Sequence, residues 1–318
     1  MLNRLGIRNI LLVGLVFAVC ANALAKPLEV KTIEFEAKSV ERTMKYNIIV
    51  PEGYKKSGKR YPVLYLLHGL TSNYVLWSAM GVREYASQYE MIIVMPDVGN
   101  SWYVNWAKTD DGHKHDWEDY MINDVIGHVD KNYRTIAQRE GRAINGLSMG
   151  GYGALVLGLR HPDMFCSIAS HSGAFEYAAR FRNRINSGDT SPPPPRRRPL
   201  SDRPSRTIGI EGFSSQVNRT PKGQPFLTIE ECDAHDPFKL VLAVPKEQLP
   251  HIHVDCGTED GLVRTARKFK ALLVENTIPF SYAESKGRHL PPYWTRAVAH
   301  SMAIQHNVIQ QNLNNMDR

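Results

Sequence analysis

Apolar positions in this chain fall into short runs separated by polar stretches rich in glycine and proline. At 63–67 (VLYLL) and 91–95 (MIIVM) every position is apolar, the pattern of a strand covered on both faces. Each run stops abruptly, the first at His68-Gly69 and the second at Pro96-Asp97. Residues 30–35 and 44–50 alternate or are β-branched and predict an antiparallel opening pair. Apolar runs at 142–144, 165–169, 251–256 and 280–283 predict four further strands. Helical spacing predicts helices over 80–89, 115–133, 152–160, 264–275 and 295–311, the third ended by His161-Pro162. Strand and helix alternate, so the expected fold class is α/β, with a mostly parallel central sheet and helices on both faces.

Two segments break this rhythm. Arg4 and Arg8 precede an apolar stretch at 10–21 and then Ala23-Leu24-Ala25, the pattern of a cleaved signal peptide over 1–25. That leaves one domain over 26–318, exported to the periplasm or outside the cell. The apolar stretch is shorter than the roughly 20 residues a span requires, and no other stretch qualifies, so stable membrane insertion is not expected. Phe17-Ala18-Val19 before Cys20 matches a lipoprotein signal poorly. The second segment, 180–223, carries four consecutive prolines (192–195), then Arg196-Arg197-Arg198, and few large apolar residues. It is expected to be a flexible or polyproline II insertion after a core strand. It reads equally as a lid or as a solvated loop.

Charge adds little to this picture. The net charge is +7, and residues 180–222 hold ten basic and three acidic side chains, so the insertion carries the excess. No nucleic-acid motif accompanies it, and nucleic-acid binding is not expected. Cys166, Cys232 and Cys256 allow at most one internal disulfide and have no metal-type spacing, so buried thiols are expected. No metal or cofactor is expected, and oligomeric state is not readable.

The chemistry is concentrated at Ile144-Asn145-Gly146-Leu147-Ser148-Met149-Gly150-Gly151. A strand leads in and a helix leads out, and Gly146, Ser148 and Gly150 form the Gly-x-Ser-x-Gly nucleophile elbow. Glycines two before and two after the serine suit a turn with no room for a Cβ. Ser148 needs a base and the base needs an orienting acid. In this architecture the chain order is serine, acid, histidine. Asp260, in the loop after the 251–256 strand, and His289, after the 280–283 strand, meet that order. Glu259 is the competing acid, one residue early, whereas Asp255 lies within the strand and reads as structural. His251 and His253 share one side of a strand, but a metal pair there lacks a third ligand. His113 and His115 fall in a polar segment expected to be exposed, and His300 and His306 on the terminal helix read as packing or solvent residues. Backbone N–H groups of Met149, at the helix start, and of Leu70, after His68-Gly69, are the candidate oxyanion donors. His68 itself reads as a shaper of that loop.

Together, His68-Gly69-Leu70, Gly146 to Gly151, Gly257-Thr258-Glu259-Asp260 and Gly287-Arg288-His289 resemble the esterase D-type family of α/β-hydrolases. That family includes S-formylglutathione hydrolases, tributyrin and feruloyl esterases, and mycolyltransferases. The resemblance extends to Pro51-Glu52-Gly53-Tyr54, Pro96-Asp97 and Asp236-Pro237-Phe238 and lapses over 180–223. Arg288 departs from it, since many members carry glycine there. The resemblance implies ester hydrolysis through an acyl-enzyme on Ser148. A transferase using a sugar hydroxyl as acceptor is the alternative, and a non-catalytic binding protein on the same scaffold a remoter one. Trp102, Tyr103, Trp106 and Trp294 lie near the expected site and are candidate contacts for a sugar or aryl-acyl group. The expected substrates are therefore small-molecule or polysaccharide-linked esters.

Overall fold

In the computed structural model, which describes residues 27–189 and 220–316, the apolar runs become strands. In chain order they are β1 (Val30–Ala37), β2 (Arg42–Ile49), β3 (Val63–Leu67), β4 (Ile92–Pro96), β5 (Lys108–Thr109), β6 (Arg142–Leu147), β7 (Ser167–His171), β8 (Gly223–Gln224), β9 (His251–Gly257) and β10 (Ser281–Ser285). Eight of them form one sheet in the order β1-β2-β4-β3-β6-β7-β9-β10. From β4 to β10 every neighbour is parallel, while β1 and β2 are antiparallel additions at one edge. The elbow strand β6 is central, so the turn after it opens at the C-terminal rim of the sheet, where α/β folds place their ligands. The predicted signal peptide and the proline-rich centre of the insertion lie outside the described residues.

Strand alternation divides the core into two layers. Tyr65 and Leu67 of β3, Val94 of β4, Ile144 of β6 and Val254 of β9 face the helices Met149–Arg160 and Val263–Glu275. Leu64 and Leu66 of β3 and Ile93 and Met95 of β4 face Trp77, Val298 and Met302. Under the terminal helix (Pro291–Met316) the second layer turns polar. Asn145 donates to Ser301 and Gln305, both at 2.9 Å, and His171 Nε2 lies 3.1 Å from the Ser301 hydroxyl. His251, His253 and Asp255 continue the line along β9.

Three expectations change in detail. The helix over 80–89 is replaced by two short ones, Leu76–Ala79 and Val82–Ala86, because Gly81 between them takes φ +83°. The helix over 115–133 contains a π-helical turn at Tyr120–Val125. The insertion begins as a helix, Tyr177–Ser187, stopped by Gly188 at φ +68°. Tyr177, Phe181 and Ile185, four residues apart, give it one apolar stripe that packs on Phe226, Tyr152 and Val104. At the far end Gly223–Gln224 pairs with Lys108–Thr109.

The polar layer makes stability sensitive to acid. Burial first, and then the nearby His253 imidazole, push the His251 imidazole down to about 4 from an ordinary 6.5. Between those values the unfolded chain binds a proton that the folded chain refuses, so stability falls as pH falls through this window. A shift of that size corresponds to about 3 kcal/mol. Denaturant unfolding at pH 7 and pH 4 should show the loss in wild type and a smaller one in His251→Gln. Equal losses in the two proteins would refute the assignment.

Candidate active site

Ser148 ends β6 and starts the helix Met149–Arg160 with φ +55° and ψ −114°, a strained pair of angles for a residue with a Cβ. The chain turns so tightly that a Cβ at Gly146 would run into the Gly150 carbonyl, and one at Gly150 into the Leu67 carbonyl. Gly69 is pressed against the same turn, where a Cβ would meet Leu147 Cδ1 at 2.7 Å and Ser148 Cβ at 3.5 Å. The turn is clamped from β7, because the Ser148 N–H donates to His171 O at 2.9 Å and Ala174 N–H donates to Ser148 O at 3.1 Å.

The three residues expected to act together are adjacent. His289 Nε2 lies 2.9 Å from Ser148 Oγ, and His289 Nδ1 lies 2.8 Å from Asp260 Oδ2. Asp260 is buried. Burial alone would push its carboxyl up, but hydrogen bonds from His289, the Leu262 N–H and the Ser172 hydroxyl outweigh that and hold it below its ordinary value. Glu259 turns away to Arg288, 3.1 Å distant, and both are largely exposed. The imidazole therefore meets Asp260 and not the competing acid. Trp294 packs against the imidazole edge to face, with centroids 4.8 Å apart.

Leu70 lies on the loop that abuts Ser148, and Met149 is the first residue of the elbow helix. Neither N–H has an acceptor among the described residues. The loop carrying Leu70 is braced from below. Buried His68 places Nδ1 2.8 Å from Gly69 O, and its Nε2 accepts from Val98 N–H at 3.2 Å, so the proton sits on Nδ1. Asn100 Oδ1 accepts from Thr71 N–H at 2.7 Å. His68 shapes the loop, as its position in the chain suggests.

The aromatic candidates separate into two kinds. Trp102 is partly exposed, adopts φ +64°, and stacks on Tyr177 with centroids 3.7 Å apart and planes 8° from parallel. Trp106 is also partly exposed and donates from its indole to Ser101 O at 3.0 Å. Tyr103 and Trp294, read as candidate contacts, are corrected to packing residues. Tyr103 is fully buried, lies against Gly153 and donates to His68 O at 2.9 Å, while Trp294 is 4% exposed behind His289. His115 is likewise buried, not exposed, with Nε2 3.0 Å from both oxygens of Asp111. Cys166, Cys232 and Cys256 are free, buried thiols. No cluster of metal-ligating side chains and no helix long and apolar enough to cross a membrane occurs among the described residues.

What the sequence did not reveal is the polar assembly behind the triad. Asp255 lies 2.6 Å from His171 Nδ1 and 3.1 Å from His253 Nε2, and it accepts from the Tyr293 hydroxyl at 2.8 Å. Its one trace in the sequence is His251, His253 and Asp255 at every second position of a strand, which places all three on one face.

The profile of the family described as "Putative esterase" matches residues 37–301 of this chain. Esterase MT1326 of Mycobacterium tuberculosis is 36% identical over 259 residues, covering 80% of this chain and 54% of its own length. The chain thus spans about half the length of that relative. An acetyl esterase of Caldicellulosiruptor saccharolyticus is 27% identical over 247 residues, covering 75% of this chain and 80% of its own. Among solved structures, a ferulic acid esterase superposes with a TM-score of 0.65 at 25% identity, over 88% of this chain and 98% of its own. With its mostly parallel sheet between helices, its elbow at Ser148 and this match across most of its length, the chain belongs to the esterase family.

Proposed function

We propose that this chain is an exported serine esterase that hydrolyses carboxylic esters, with short acyl groups or carbohydrate-linked acetyl and feruloyl groups as substrates. The observation that carries this is the unbroken run of hydrogen bonds from Ser148 to His289 to Asp260. His289 Nε2 takes the proton from Ser148 Oγ as the oxygen attacks the ester carbonyl. The Leu70 and Met149 N–H groups receive the developing oxyanion, each such donor being worth about 2.7–4 kcal/mol of barrier. The tetrahedral adduct expels the alcohol, which takes the proton from His289 Nε2. Water, deprotonated by the same nitrogen, adds to the acyl carbon; the Ser148 Oγ–acyl bond then breaks, the acid leaves, and Oγ takes its proton back from His289 Nε2. Asp260 accepts from His289 Nδ1, fixes the tautomer and stabilises the imidazolium. An imidazole must be neutral to act as base, so turnover falls on acidification.

Support for an acyl or aryl group bound to sugar comes from the names of the acetyl and ferulic acid esterase relatives. It also comes from Trp102, a partly exposed indole held in place by stacking on Tyr177. Export is supported by the residue pattern at 1–25. The full chain is to be expressed in bacteria, and the exported fraction assayed with p-nitrophenyl esters, acetylated xylan and methyl ferulate. Free acid is the expected product. Activity confined to the cytoplasm would refute export, and inactivity on the whole panel would refute the esterase reading. Trp102→Ala should lower kcat/KM for methyl ferulate by about two- to tenfold, matching an aromatic contact of about 0.5–1.5 kcal/mol. It should leave p-nitrophenyl acetate nearly unchanged, and equal losses on both would remove Trp102 from the acyl site.

A further inference from the structure

Asp255 is 3% exposed and takes no part in the hydrogen bonds of the triad. It nonetheless touches both halves of the site. On one side, His171 Nδ1 lies 2.6 Å from Asp255 Oδ2, and the His171 carbonyl receives the Ser148 N–H at 2.9 Å. The next residue, Ser172, donates its N–H to the Asp255 carbonyl at 2.8 Å and adopts φ +47°. On the other side, Asp255 Oδ1 accepts from the Tyr293 hydroxyl at 2.8 Å. Tyr293 lies in the first turn of the terminal helix, its ring so close to Gly287 that a Cβ there would meet Tyr293 Cδ2 at 2.6 Å. Two residues after Gly287 stands His289, with Trp294 against its imidazole.

We propose that Asp255 is a positioning residue which, through the Tyr293 hydroxyl, locks the Gly287–His289 segment to the strand end that holds Ser148. The nucleophile and the base come from β6 and from the loop after β10, with the two strands β7 and β9 between them. β6 and β10 do not pair directly, and the backbone tie on the base's segment is local, Glu259 N–H donating to Gly287 O at 2.9 Å. A misplacement of about 1 Å between such groups costs on the order of a hundredfold in rate. The Asp255 carboxylate bridges that distance from below, with one oxygen on the β7 side and the other on the helix that follows the base.

The charge state suits this task. Burial would push the Asp255 carboxyl up, but the His171 and His253 imidazoles hold it well below the carboxylate range. The groups facing it are His171 on β7, His253 on its own strand and Tyr293 on the terminal helix, with the Cys256 thiol and Asp260 beyond. Its ion-pair partners are the His171 and His253 imidazoles. The anion is a strong acceptor for the phenol hydrogen over the whole working pH range, whereas a neutral amide would hold it more weakly.

The proposal rests on Ser148 and His289 acting as nucleophile and base, and its test separates the two ideas. Wild type, Tyr293→Phe and Asp255→Asn are titrated with a fluorophosphonate to count reactive serines, and kcat and KM for p-nitrophenyl acetate are expressed per titrated site. Tyr293→Phe keeps the ring over Gly287 and removes only the hydroxyl. Expected in both variants is a full titre with kcat lower by about ten- to a hundredfold and KM within about twofold. A titre that falls in step with activity, at unchanged per-site kcat, overturns the proposal. So does full titre with wild-type turnover in Tyr293→Phe, which decides the matter even if Asp255→Asn does not fold. Failure of the esterase reading looks different, since wild type itself then takes no label.

Discussion

Replacing Ser148 with alanine is expected to lower ester turnover by about 10⁶ and to abolish fluorophosphonate labelling. When nucleophile, base and acid act as a unit, losing the nucleophile removes nearly everything that unit contributes, about 2 × 10⁶ in kcat in the best-measured serine hydrolase. Activity that survives comes from the Leu70 and Met149 N–H groups and from substrate binding, about 10³–10⁴ over water. Alanine keeps a Cβ, so the φ +55° strain of the elbow is unchanged, and the melting temperature should stay near that of wild type. Turnover above about 1% of wild type would be far more than these residual effects allow. It would place the nucleophile elsewhere. Glycine at 148 offers a second measurement, because it removes the hydroxyl and relieves the backbone strain together.

Asp260→Asn is expected to lower kcat by about 10⁴ while leaving the fold intact. The asparagine amide can face His289 Nδ1 with its NH2 group, which favours the tautomer that carries its proton on the nitrogen nearest Ser148. Such a base cannot take the serine proton. Glu259→Gln is the matched control, since Glu259 pairs with Arg288 at the exposed rim, and its turnover should stay near wild type. If the control lost as much as Asp260→Asn, the acid would be misassigned. Stability gives an independent reading of Asp260. Its folded carboxyl is held below its ordinary value, so its ionisation adds stability above the unfolded value, lost as pH falls through the folded one. The asparagine variant should therefore be less stable than wild type at neutral pH, with the gap closing in strong acid.

The sequence by itself determined those features whose physics is local. An all-apolar run must be buried on both faces, so β3 was legible to the residue and β4 to within one position. A turn that brings the residue-146 Cα against the residue-150 carbonyl admits only glycine, so the elbow shows in a five-residue pattern. Chain order then singled out Asp260 and His289, because a parallel sheet places successive strand ends along one rim. The helix break at Gly81 and the helical start of the insertion were present as a glycine and a four-residue apolar spacing, but each was outweighed by the composition around it.

Only the tertiary structure decided what meets across the sheet. Trp102 and Tyr103 are neighbours with nearly equal φ, 64° and 61°, yet one lies in a partly exposed stack and the other is buried beneath His68. No local pattern distinguishes them, since the difference comes from Gly153 and Tyr177 on other elements. Trp294 is removed from the substrate side in the same way, by the register of the terminal helix against His289. Asp255, a single acid within a strand, acquires His171 from β7 and Tyr293 from the terminal helix, 84 and 38 residues away in the chain. Side-chain chemistry and backbone permission are written locally, and they identify which residues can react. The distances between those residues are set by strand order and helix docking, which exist only once the chain has closed on itself.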